Sequence, residues 1–80
     1  MSIRDTLAPL NLPSALHAQA IKLLDAIRRA HNLYDTQQAA TRAEGFVLGI
    51  ETLRALNPGD IEALYLAFDH ASQTRQAELA

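Results

Sequence analysis

Eighty residues with 49% apolar side chains make one small domain, but fifteen of those residues are alanine and only 24 are larger. A core of that size lies near the lower limit for independent stability. Cysteine is absent, which excludes disulfides and thiolate metal sites, and a net charge of −2 gives none of the basic excess expected of a nucleic-acid-binding domain.

No apolar run approaches the roughly 20 residues needed to cross a bilayer. The opening Met1-Ser-Ile-Arg-Asp5 lacks the basic-then-apolar order of a signal peptide, so the expected location is the cytoplasm. With no disulfide to staple a thin core, a partner subunit is the remaining common source of stability.

The chain reads as a single helical domain over 1–80. Ser2, followed three residues later by Asp5, can cap a short helical turn that Pro9 ends. Leu7 to Leu12 then reads as an extended apolar arm. The first helix is predicted over 13–31, with Pro13 in its first turn, where the missing N–H is harmless. Leu16, Ala20, Leu23, Ile27 and Ala30 repeat at helical spacing along it. Arg28, Arg29 and His31 put positive charge at its C-terminal end, where the helix dipole favours it. Asn32 is the expected stop.

The second helix is predicted over 34–56, with Ala39, Ala43, Phe46, Ile50 and Leu53 as its buried stripe. The string Phe46-Val-Leu-Gly-Ile50 would also suit a buried strand. No second strand-like segment exists to pair with it, and a lone buried strand leaves its backbone unsatisfied. The third helix is predicted over 58–74. Asn57 is its N-cap, Pro58 its first residue and Asp60 an acid in its first turn. Ile61, Leu64, Tyr65, Phe68 and Ala71 should be buried, and the polar tail from Arg75 should fray. The fold class is therefore all-α: a small three-helix bundle with a short N-terminal helical turn or arm and antiparallel neighbours.

Two glycines stand out inside the second helix. Gly45 and Gly49 lie one turn apart among good helix formers, and each costs about 1 kcal/mol relative to alanine in an exposed helix interior. Such a pair opens a notch for close packing. Either Phe68 or Tyr65 fills it within the chain, or a helix of another subunit does. Val47 and Leu48 flank the Phe46 stripe, and Leu66 shares a face with Glu62, Asp69 and Gln73. Gly45, Gly49, Val47, Leu48 and Leu66 are thus the candidate interface or close-packing residues. The expected assembly is a homodimer, since closed two-fold pairs are the commonest oligomers, with an unidentified protein partner as a further possibility.

No residue set marks catalysis or a cofactor. His17 and His31 share a helix face but lie about 21 Å apart along the axis, and His70 stands alone, so no metal site is expected. Glu44 and Glu51 are about 10.5 Å apart along their helix, wide for paired carboxylates. Ser14 and Ser72 occupy no nucleophile elbow, and the glycines form no phosphate loop. An enzyme is not expected. Helices two and three superficially suit a helix-turn-helix, but the would-be recognition helix opens with Asp60 and Glu62 and has no Lys or Arg before Arg75. The leading expectation is a small protein-interaction module, probed against two alternatives: a DNA-associated regulatory protein, and a small ligand-binding module or enzyme.

Overall fold

The computed structural model describes residues 7–80. Three helices pack against one another: α1 (Ser14–Arg28), α2 (Leu33–Thr52) and α3 (Pro58–Leu79). Among the described residues there is no strand, so the protein is a small all-α three-helix bundle. The expected cap at Ser2 and Asp5 lies outside the described residues.

Every pair of helices is in contact, α2 with α3 most extensively. The chain direction follows from two long-range hydrogen bonds. Tyr65, in the first half of α3, donates to Glu51 near the end of α2 at 3.2 Å. Arg75, near the end of α3, donates through Nε to the carbonyl of Ala30 just beyond α1 at 2.8 Å. Thus α1 and α3 run the same way and α2 runs against both, as short connections require.

The two joints are built on one device. Asn32 Oδ1 accepts the Asp35 N–H at 2.7 Å, while Asn32 Nδ2 donates to Asp35 Oδ2 at 3.2 Å. Asn57 repeats the arrangement with Asp60, at 2.9 Å and 3.1 Å. Each cap satisfies an orphan N–H of the first turn, and each aspartate adds negative charge where the dipole favours it. Asn57, Pro58 and Asp60 take the roles the sequence predicts. Asn32 does not: it starts α2 rather than stopping α1, because its side chain reaches forward along the chain.

Other ends also differ from expectation. Pro13 takes the N-cap place and Ser14 begins α1. Only Arg28 lies in the last turn of α1, with Arg29 as its C-cap and His31 in the joint. Helix α2 stops at Thr52, four residues early, because Arg54 adopts a left-handed φ of 53°. The N–H groups of Arg54 and Ala55 then bond back to the Glu51 and Ile50 carbonyls at 3.0 and 3.1 Å. These two bonds form a Schellman motif, with arginine where glycine usually sits. Sequence composition gave no cue for that substitution. Helix α3 instead runs five residues long, to Leu79; the polar tail stays helical because Arg75 is anchored on Ala30 and on Glu78 at 3.3 Å.

The core is centred on Phe68, Leu64, Ile27, Val47 and Leu7, all essentially inaccessible. Leu7 belongs to a turn in which the Leu10 N–H donates to its carbonyl at 3.0 Å, so the first part of the expected arm is folded, not extended. On α2 the buried stripe is Thr36, Ala39, Ala43, Val47 and Ile50. That rotates the predicted stripe: Phe46 is only half-buried and Leu53 is 80% exposed. The 3-4-4-3 spacing from Thr36 to Ile50 puts Val47, not Phe46, on the line toward α1 and α3. Thr36 satisfies its hydroxyl on the Asn32 carbonyl at 2.8 Å, and no described buried side-chain N or O lacks a partner. On α3, Tyr65 and Ala71 are half-buried and Ser72 is buried, its Oγ accepting from Gln76 at 3.0 Å.

Candidate interaction surface

Helix α2 has a second face, turned to solvent. Tyr34, Gln38, Thr41, Gly45, Leu48 and Thr52 are all exposed and succeed one another at alternating spacings of four and three. Residues so spaced fall on one side of a helix. Gly49 lies beside Gly45 on the same side, and Leu48 is 57% exposed. The Thr52 hydroxyl donates to the Leu48 carbonyl at 2.8 Å. That hydroxyl is thereby used within the helix.

Among the described residues, a Cβ placed on Gly45 or on Gly49 would meet no neighbouring atom within 4 Å. Neither Phe68 nor Tyr65 fills the notch, so the intramolecular reading of the glycine pair fails. The physical reason is rotational. Close packing inside the bundle is performed by the methyl groups of Ala39 and Ala43, which occupy the inner face. The glycines, two residues beyond Ala43 and six beyond it, point the other way.

The remaining candidates separate into two groups. Val47 is fully buried and belongs to the core, so it is a packing residue inside the chain. Leu48 and Leu66 are exposed, on α2 and α3 respectively. Near them, Tyr65 bridges the two helices through its bond to Glu51. Partial burial, foremost, and then the charges of Glu51 and Glu44 hold the Tyr65 hydroxyl above its ordinary value. Glu51 forms no ion pair with Arg54, three residues on; it turns to Tyr65, because the helix ends before Arg54.

At the α2–α3 corner, Glu51, Arg54, Leu56, Pro58 and Ile61 line a groove of about 270 Å³. No group of three or more His, Cys, Asp or Glu residues among those described could hold a metal ion. No described helix is long and apolar enough to cross a membrane. No family model, curated protein or solved structure matched the chain in comparison.

Sequence reasoning missed Asn32 as a cap and Arg75 as an anchor. The first was legible: Asn32-Leu-Tyr-Asp35 has the same spacing of amide and acid as Asn57-Pro-Gly-Asp60. The second was not, since the carbonyl that Arg75 meets is 45 residues away.

Proposed function

We propose that the protein is a small helical interaction module that forms a homodimer by crossing the outward face of α2 over its own copy at Gly45 and Gly49. The observation that carries this reading is the space over both glycines, unoccupied by any of the described residues, which lets another helix approach the backbone closely. Thr41, Gly45 and Gly49 make a shallow ridge at spacing of four. Packing of such ridges is the commonest way helices cross in globular proteins. Leu48 and Leu53, both more than half exposed, supply apolar area at its edges. The acidic opening of α3 speaks against the DNA-associated alternative, since Asp60 and Glu62 would face phosphate.

Sedimentation over a concentration series tests the proposal. The wild-type chain should be dimeric at high micromolar concentration. Gly45→Leu should raise the dimer dissociation constant about tenfold or more, while helicity by circular dichroism stays the same or rises, leucine being the better helix former. A wild-type monomer throughout the series would refute the dimer, and an unchanged dimer in the variant would refute the glycine contact.

A further inference from the structure

We draw no further inference here: the strongest candidate, the groove at the α2–α3 corner between Glu51, Arg54, Leu56, Pro58 and Ile61, is bordered mainly by exposed side chains, and nothing in the structure shows what covers it.

Discussion

The inner and outer faces of α2 are both lined with small residues, and they do opposite things. On the inner face Ala39 and Ala43 are buried, and their methyl groups let α1 and α3 approach closely around Val47 and Ile50. On the outer face Gly45 and Gly49 remove even the methyl group where no atom of the described residues approaches. Small side chains inside the bundle are explained by the bundle. Small side chains outside it cost helix stability and meet no described neighbour, which is what motivates the proposed pairing between chains. The lesson is that residue size is uninformative until the face is known.

Substitutions on the two faces should therefore diverge in size and sign. The largest effect is expected inside: Ile50→Ala removes a buried side chain that its neighbours cannot fully replace, and should cost about 2–5 kcal/mol. Denaturant unfolding should show this as a lower midpoint with little change in slope. A loss below about 1 kcal/mol would mean the inner face is loosely packed. Outside, Gly45→Ala should stabilise the isolated chain by about 1 kcal/mol, since a Cβ meets nothing and alanine is the better helix former. Destabilisation there would show that the notch is filled within the chain after all.

The smallest effect concerns Tyr65, on the border between the faces. Its hydroxyl titrates above the ordinary tyrosine value in the folded chain, so the unfolded chain loses this proton first. Stability from this group is complete below the unfolded value and is lost as pH rises through the folded one. Tyr65→Phe should flatten the fall in stability above pH of about 10, and an unchanged alkaline profile would dissociate Tyr65 from it.

Much of this was legible along the chain. Ala20, Leu23 and Ile27 on α1, and Ile61, Leu64 and Phe68 on α3, are buried as their periodicity demands. Asn57-Pro58-Gly59-Asp60 marks a helix start by local chemistry alone, because a cap is made between residues three apart. Local signals also suggested that the glycine pair needs an explanation. They could not say which face it occupies: Phe46 and Val47 are adjacent apolar residues, and choosing between them turns the whole helix by about 100°.

Sequence by itself determined three helices, their approximate extent and a core that relies on apolar contact without cysteine. Tertiary structure alone decided that Val47 faces inward, that α2 ends at a left-handed Arg54, and that Arg75 holds the final turns of α3 on Ala30. The division has one cause. Caps and periodicity are set by neighbours within a few residues, whereas helix rotation and long-range anchoring depend on groups that meet only once the chain has folded. The glycine pair belongs to the second kind: its spacing is local, but the space above it is a property of the whole bundle.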